Sequence, residues 1–174
     1  MGDPKKKRKK FSKPPRLWQK ERIEGEKALV KEYGFKNKQE IWKMSSILRN
    51  FSNQAKVLIS LKTPQAEKEK KQLLHKLQNL GLIKKTAQME DVLGITLRDV
   101  LERRLQTLVL KKGMANSIKQ ARQFITHEHI AVGEKKITVP SYLVSVKEEG
   151  VLSFATDSGL ADSQHPERVL KRKK

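Results

Sequence analysis

Residues 116–136, NSIKQARQFITHEHIAVGEKK, decide the fold because they predict a short helix followed by a β-hairpin. Ser117 and Gln120 have the spacing of a capping box, so the helix should begin at Ser117. Apolar residues at helical spacing form one face of this helix. The opposite face carries the polar residues Lys119, Arg122, Gln123 and Thr126. One face is therefore expected to pack. The other either offers two cations and two hydrogen-bonding groups to a ligand or is simply a solvated surface.

The predicted hairpin turns at Gly133-Glu134. Glycine at the first central position favours a two-residue turn of the primed type. Lys135 and Lys136 follow the turn and lie near the polar face of the helix if the hairpin folds back. Residues 98–140 contain nine Lys and Arg against four Asp and Glu. A helix edge and a hairpin edge of the same sign form a groove that attracts phosphate.

The whole chain of 174 residues is strongly basic, with 39 Lys and Arg against 19 Asp and Glu and a formal charge of +20. Such an excess indicates a polyanionic partner, either nucleic acid or an anionic membrane surface. No apolar run approaches the roughly 20 residues needed to cross a bilayer, and the basic start lacks the apolar core of a signal peptide. With no cysteine, the chain can form no disulfide, zinc–thiolate site or thiol nucleophile. An intracellular location fits these observations.

Both ends of the chain are basic, and we interpret them as arms. Residues 1–20 combine a run of like charges with Pro14-Pro15, which predicts a segment that is disordered alone and becomes ordered along phosphates, with Phe11 and Trp18 available for stacking or anchoring. The run PKKKRKK also resembles a nuclear-localisation signal. Residues 157–174 form a basic C-terminal tail. The cations of these arms that are expected to contact phosphates are Lys5, Lys6, Lys7, Arg8, Lys9, Lys10, Lys171, Arg172, Lys173 and Lys174.

An all-helical domain is predicted over residues 21–96. Apolar residues at helical spacing predict one helix that ends at Gly34, a second over residues 38–59, and a third that ends at Gly81. Packing in a hydrophobic core is the simplest explanation of these apolar stripes, and we adopt it.

A second unit is predicted over residues 97–156. It opens with a helix that begins at a capping box of Thr96 and Asp99 and ends at Gly113. The helix and hairpin described first complete this unit. The predicted fold class is therefore α+β, with an all-helical N-terminal domain and a small helix-hairpin module that contains a short, mainly antiparallel sheet.

A set of short motifs follows in a fixed order along the second unit. They are Arg104-Leu105, Gly113, Ala115, Ser117, Ala121-Arg122, His127, His129-Ile130 and Pro140-Ser141-Tyr142. Their order and spacing over residues 97–144 resemble the RNA-binding module named after protein four of the small ribosomal subunit. The segments YGFKNKQEIWKM, LGLIKK and ERRLQT and the basic tail extend the resemblance to the archaeal form of that ribosomal protein family.

The resemblance implies a protein that binds small-subunit ribosomal RNA directly, nucleates assembly of the subunit body and helps line the path by which messenger RNA enters. It also implies that the module is inserted into the helical domain and that the C-terminal tail returns to that domain. Two departures stand out, because Gly133-Glu134 replaces the Asn-Gly turn of many relatives and the zinc-binding cysteines of many relatives are absent. No cofactor and no metal are expected, since His127 and His129 lack a third ligand.

The resemblance and the charge pattern together predict an RNA-binding site. Lys119 and Arg122 are expected to contact phosphate, and Arg103 is expected to point outward. Arg104 lies at the margin of the apolar stripe, so it either pairs internally, snorkels or serves RNA. Tyr142 either stacks on a base or belongs to the hairpin core. The full set is Arg103, Arg104, Lys111, Lys112, Asn116, Ser117, Lys119, Gln120, Arg122, Gln123, His127, His129, Lys135, Lys136 and Tyr142. Because Arg122 lies on a polar face, Arg122→Glu should weaken RNA binding and leave the fold intact.

The expected partners are small-subunit ribosomal RNA, neighbouring small-subunit proteins and messenger RNA, on a cytoplasmic ribosome and without a membrane. The runner-up is a standalone RNA chaperone that acts on ribosomal subunits, against which the long helical domain argues. An enzyme would need a catalytic domain, and the remaining chain shows neither a phosphate loop nor an evident acid–base pair. A nuclear DNA-binding protein rests on PKKKRKK alone. Membrane-surface binding would need an apolar face beside the basic ends.

Overall fold

The computed structural model describes residues 2, 9, 11–162 and 165–167, and its N-terminal part contains three long helices. They are α1 (Lys20–Tyr33), α2 (Lys38–Ser60) and α3 (Pro64–Asn79). All three predicted helices are thus confirmed. Gly34 closes α1 in the left-handed conformation at φ 61°, as its position predicts. The Asn37 and Thr63 side chains accept backbone N–H groups at the starts of α2 and α3, which a sequence can encode locally.

The helix predicted to end at Gly113 is broken in two. Its halves are α4 (Leu97–Glu102) and α5 (Leu105–Lys111). The break has a long-range cause, because the backbone N–H of Leu105 donates to the carbonyl of Tyr142 at 2.8 Å instead of continuing the ladder of α4. The prediction of one continuous helix is therefore wrong, although its start is correct, since the capping box forms in both directions.

The second half of the chain contains a short helix and a small sheet. Its elements are α6 (Ile118–Thr126), β1 (Ile130–Val132), β2 (Lys135–Lys136), α7 (Val146–Gly150) and β3 (Leu152–Phe154). The strand order is β2-β1-β3, and both pairs are antiparallel. The predicted α+β class is confirmed.

The hairpin turns where it was predicted to turn. Val132 pairs with Lys135, which leaves Gly133-Glu134 as a two-residue loop with Gly133 at φ 61°. Strand β2 is only two residues long, so the apolar residues Ile137 and Val139 lie beyond it. Neither α7 nor β3 was predicted. β3 lies on the other side of β1 from the hairpin partner and makes β1 the central strand.

Two clusters of buried apolar side chains divide the fold. The first draws on α1 to α3 and extends through the 3₁₀ turn Asp91–Gly94 to Val100 and Leu101 of α4. The second begins at Leu105 and includes α5, α6 and the sheet. The predicted unit boundary at residue 97 is therefore placed too early, because α4 packs with the helical domain. We call the part from Arg103, the residue after α4, onward the module.

Each of the two arms has described residues that pack against the rest of the protein. At the N-terminus, the Phe11 ring packs 6.1 Å from the ring of Trp42 on α2, between centroids. At the C-terminus, Leu160 is buried in the cluster of the module, and the carbonyl of Glu167 accepts hydrogen bonds from the Asn116 and Gln120 side chains. Residues 157–162 and 165–167 thus pack on the module, and the rest of the tail, which was predicted to return to the helical domain, lies outside the described residues. Of the ten arm cations predicted to contact phosphates, only Lys9 is described, and it is exposed.

The helical domain and the module meet closely at Gly34. A Cβ atom built at Gly34 would lie 2.8 Å from Cγ2 of Ile118, at the start of α6. The side-chain amide of Gln106 lies on the same contact, where it donates to the Ile118 carbonyl at 2.9 Å and to the Gly34 carbonyl at 3.5 Å. Glycine is needed here both for its positive φ and for its lack of a side chain. None of the helices in the described residues is long and apolar enough to cross a membrane.

We predict that Gly34→Ala destabilises the protein more than Gly113→Ala does. Both residues have positive φ, which costs alanine about 1–2 kcal/mol, but a Cβ at Gly113 meets nothing within 4 Å. At Gly34 the overpacking against Ile118 adds roughly 1–3 kcal/mol. Gly25→Ala, inside α1 with open space around its Cβ, should instead stabilise by about 0.5–1 kcal/mol.

Urea-unfolding midpoints of the three variants measure this order. The expected sequence, from least to most stable, is Gly34→Ala, Gly113→Ala, wild type and Gly25→Ala. Equal midpoints for Gly34→Ala and Gly113→Ala would show that the close approach between the domains contributes nothing to stability.

Candidate nucleic-acid interface

Helix α6 presents a polar ridge to solvent. The Ser117 hydroxyl accepts the backbone N–H of Gln120 at 3.2 Å, and Ala121, Phe124 and Ile125 are buried. On the other side the exposed residues are Lys119, Gln123, Thr126 and His127. Lys119, Gln123 and His127 follow one another at intervals of four residues, so they form a line along the helix. We call these three residues the α6 ridge. Among the described residues, Lys119 and Gln123 have no side-chain partner.

The residues at the start of α6 are already engaged by the C-terminal segment. The Gln120 side-chain carbonyl accepts the backbone N–H of Asn116 at 2.7 Å. The two side-chain amides donate to the carbonyl of Glu167, at 3.3 Å from Asn116 and 3.2 Å from Gln120. Gln120 therefore serves the start of the helix, as expected, although it bonds Asn116 instead of completing the box with Ser117. Asn116 and Ser117 remain exposed at this end of the ridge.

The two lysines after the hairpin turn have different surroundings. Lys135 is exposed and has no partner within the described part of the chain. Lys136 Nζ lies 2.7 Å from Oδ2 of Asp157, and this hydrogen bond raises the pKa of Lys136 and lowers the pKa of Asp157. Both partners are well exposed, so the pair is weak and open to competition from a phosphate.

The lysines at the end of α5 lie at the surface near acidic helix ends. Lys111 Nζ pairs with Glu102 at 3.1 Å, and both side chains are about half exposed. Lys112 donates to the backbone carbonyl of Glu149. Exposed pairs of this kind contribute little to stability, so both ammonium groups stay available to a polyanion.

Arg103 does not point outward, and that prediction is wrong. Its guanidinium pairs with Glu149 at 2.7 Å and donates to the carbonyl of Val144 at 3.0 Å. The side chain is largely buried, because the junction of α4 and α5 packs against the residues around α7. Arg103 thus holds the start of the module to the residues around α7.

Arg104 is completely buried, so its assignment to the RNA site is wrong and the internal pairing is correct. Its guanidinium lies 3.2 Å from Oε2 of Glu40 and 4.4 Å from the ring centroid of Phe35. Nε and Nη1 of Arg104 have no hydrogen-bond partner. Burial lowers the pKa of Arg104 to about 10, against the nearby charge of Glu40, which raises it. The side chain remains a cation at neutral pH, inside the protein.

Arg122 is turned toward the helical domain and is not free for phosphate. Its guanidinium grips the carboxylate of Glu40 with two hydrogen bonds, Nη1 to Oε2 at 3.1 Å and Nη2 to Oε1 at 2.7 Å. The side chain is 26% exposed. The expectation that Arg122→Glu leaves the fold intact does not hold, because that change would place a second carboxylate beside Glu40, where the guanidinium of Arg122 now lies.

The remaining predicted residues serve the module internally, with one exception. His129 Nδ1 lies 2.8 Å from the Ser158 hydroxyl. The Tyr142 hydroxyl donates to Glu148 at 2.6 Å, which raises the pKa of Tyr142 and lowers the pKa of Glu148. His127 is the exception, because it is exposed and only stacks on His129 at 6.3 Å between ring centroids. No group of three or more potential metal ligands occurs among the residues that the structure describes.

Comparison with known proteins identifies the family of this chain. The S4 domain matches residues 103–149. The small ribosomal subunit protein uS4 of Methanococcus aeolicus is 51% identical over 170 residues, which is 97% of this chain and 96% of that protein. The chain belongs to the uS4 family. The uS4 proteins of Saccharolobus solfataricus and Ignicoccus hospitalis are 50% and 48% identical, over 91% of this chain and 88% and 95% of theirs.

The limits of the S4 domain coincide with an ion pair in this structure. Arg103 and Glu149 are the first and last residues that the S4 domain matches, and their side chains pair at 2.7 Å. The domain is thus closed on itself by a salt bridge between its ends. Glu40 lies outside the domain and was missed, because nothing near it in the sequence indicates the two arginines that it receives from the module.

We predict that replacing Glu40 removes a pH-dependent part of the stability. Burial alone would raise the pKa of Glu40, but the hydrogen bond from Arg122 and the charges of both arginines outweigh burial and lower it below 4.5. A carboxyl with a lowered folded-state pKa stabilises the fold above its unfolded pKa and loses that contribution as the pH falls. Glu40→Gln should therefore cost roughly 3 kcal/mol near neutral pH, and the deficit should shrink below pH 4.5.

Urea unfolding of wild type and Glu40→Gln between about pH 3 and pH 7 measures this deficit. Glu24→Gln, at an exposed position of α1, is the matched control and should stay within about 0.5 kcal/mol of wild type at every pH. A Glu40→Gln deficit that is constant across the range would mean that the charge of Glu40 does not stabilise the fold.

Proposed function

We propose that this protein is a structural component of the small ribosomal subunit that binds small-subunit ribosomal RNA directly, through the α6 ridge and the tip of the hairpin. One observation carries the proposal, namely that a chain of the uS4 family presents Lys119, Gln123 and His127 as an exposed line beside a packed helix face. The exposed cation Lys135 adds to this surface. The role is structural and not enzymatic, and its place is the ribosome of the cytoplasm.

The chemistry of the surface suits duplex and junction RNA. The major groove of an RNA helix is too deep and narrow for side chains, so proteins recognise it through shape, phosphates, 2′-hydroxyls and unstacked bases. A short helix locked onto a sheet holds its cations in a fixed pattern, which favours recognition of shape. The formal charge of +20 supplies the long-range attraction, and each phosphate neutralised releases counterions.

We assign to RNA binding fewer residues than the sequence analysis predicts. Lys119, Gln123, His127 and Lys135 contact RNA first. The partnered but exposed residues join them when RNA displaces their weak surface contacts, and they are Lys111, Lys112, Asn116, Ser117 and Lys136. The scaffold is held by Arg103, Arg104 and Arg122.

The cations of the two arms extend the contact along RNA. Of the ten arm cations predicted to contact phosphates, Lys9 alone lies within the described residues, and its exposure leaves it open to phosphate. The arm cations that lie outside the described residues are Lys5, Lys6, Lys7, Arg8, Lys10, Lys171, Arg172, Lys173 and Lys174.

The finer parts of the role follow the same reasoning. We assign the protein an early part in assembly of the subunit body, contacts with neighbouring small-subunit proteins and a position beside incoming messenger RNA. Direct binding to ribosomal RNA supports the first of these, since a protein that needs no partner protein can bind first. A standalone RNA chaperone is less well supported, because the similarity to uS4 proteins covers nearly the whole chain, helical domain included.

We predict that removing two ridge and hairpin cations weakens RNA binding and flattens its salt dependence. In Lys119→Ala/Lys135→Ala, each lost phosphate contact should reduce the slope of log affinity against log salt by roughly 0.7–0.9. The matched control is Lys68→Ala/Lys71→Ala, which removes two exposed lysines from α3. The two double variants therefore have the same net charge.

Filter binding of full-length protein to small-subunit ribosomal RNA at several salt concentrations measures both slopes. The control should keep the wild-type slope. If the two double variants show the same slope and affinity, net charge alone drives binding and the α6 ridge is not the site. If wild-type protein fails to prefer ribosomal RNA over duplex DNA at moderate salt, the proposed function itself is wrong.

A further inference from the structure

A second exposed feature lies on the helical domain, far along the chain from the S4 domain. Trp18 is 91% exposed and its neighbour Leu17 is 54% exposed. Single exposed apolar residues are common, and by themselves they need no explanation. Here the residues that flank the indole in the sequence include cations. Residues 12–20 contain Lys13, Arg16 and Lys20, all exposed, and no acidic residue.

This segment is held in place at its first residues. The Phe11 ring packs on Trp42, and the Ser12 backbone N–H donates to the hydroxyl of Ser46 at 3.1 Å. The Ser12 hydroxyl accepts a hydrogen bond from Arg49 at 3.2 Å. All three contacts are made to α2. The chain that leads to Trp18 therefore starts from a fixed point on the helical domain.

The segment is held again directly beside Trp18. Nη2 of Arg22 donates to the carbonyl of Arg16 at 3.2 Å and to the carbonyl of Leu17 at 2.9 Å. Nη1 of Arg22 pairs with the buried carboxylate of Glu26. The same carboxylate oxygen accepts the indole N–H of Trp42 at 3.0 Å. A partly buried network thus holds the backbone that displays Trp18, although nothing in the described residues covers the ring.

An exposed indole on a held backbone, with cations as its neighbours in sequence, has the chemistry of a base-stacking platform. Proteins bind single-stranded nucleic acid by stacking its bases on aromatic rings while basic side chains beside the rings contact the backbone. An apolar pocket of a protein partner would accept Trp18 and Leu17 but has no use for three cations without an acid. Because the backbone is already ordered, little conformational entropy is lost on binding.

We propose that Trp18 stacks on an unpaired base of a single-stranded RNA segment, with Lys13, Arg16 and Lys20 on its phosphates. Arg22 acts as a positioning residue through the two carbonyls that it holds. This site lies outside residues 103–149 and is separate from the α6 ridge. The inference rests on the proposed function only in taking the partner to be RNA.

The test uses the full chain and an unstructured adenylate oligonucleotide of about 12 residues, long enough for one such site. In Trp18→Ala, the affinity measured by anisotropy of the labelled oligonucleotide should fall by roughly 5- to 100-fold. Trp18→Phe should keep most of the affinity, because phenylalanine also stacks. Leu17→Ala, which changes the adjacent exposed apolar residue, is the matched control and should bind like wild type.

Fluorescence gives a second readout, since the chain has only two tryptophans. The oligonucleotide should quench the emission of Trp18 in a Trp42→Phe background. Dextran sulfate, which carries charge but no bases, should not quench it. Should Trp42→Phe fail to fold, the difference in quenching between wild type and Trp18→Phe gives the same information.

Three outcomes would overturn the inference. In the first, Trp18→Ala binds the oligonucleotide as tightly as the wild type does. In the second, dextran sulfate quenches the Trp18 emission as strongly as the oligonucleotide does. In the third, ribosomal proteins without RNA quench the Trp18 emission and the oligonucleotide does not. The last would assign Trp18 to a protein partner. None of them touches the Lys119 and Lys135 result on ribosomal RNA, so the failure of this inference is distinguishable from the failure of the proposed function.

Discussion

One carboxylate joins the two halves of this protein. Glu40, in the first turn of α2, accepts a hydrogen bond from Arg104 and two from Arg122. Both arginines belong to the part of the chain that carries the S4 domain, and Phe35 covers the guanidinium of Arg104 from the helical domain. Burying such charges is costly unless each has its partner, so separating the halves would leave an uncompensated charge on either side. The tie therefore fixes how the module sits on the helices.

The tie also explains which of the nominated cations face outward. Arg103, Arg104 and Arg122 are all engaged with carboxylates, whereas the exposed ridge and hairpin carry lysines. A planar guanidinium can bond both oxygens of a carboxylate and is weakly hydrated, which suits an interior or an interface. An ammonium group is compact and strongly hydrated, which suits a surface that exchanges water for phosphate. Arginine and lysine contribute equally to the net charge of the chain, but in the fold these arginines form internal ion pairs and the lysines lie at the surface.

Local features of the fold could be predicted from sequence, and the resemblance supplied the family. The three long helices, the Thr96 capping box and the Gly133-Glu134 turn depend on residues within a few positions of one another. The break between α4 and α5 depends instead on Tyr142, and so it was missed. Helix α7 was within reach, because Ser145 and Glu148 form a capping box with the usual spacing. Strand β3 is too short to give a period.

The same division holds for the candidate site. A helical-wheel projection of the α6 sequence separates the packed face from the polar face correctly. It cannot show which polar residue contacts another domain. Lys119 and Arg122 lie three positions apart on that face, and only Arg122 reaches Glu40. Glu26, Glu40 and Glu149 are all engaged by arginine, and each such pair is close to neutral overall. The scaffold thus uses acids together with arginines, and the cations that remain exposed on the α6 ridge and at the hairpin are lysines.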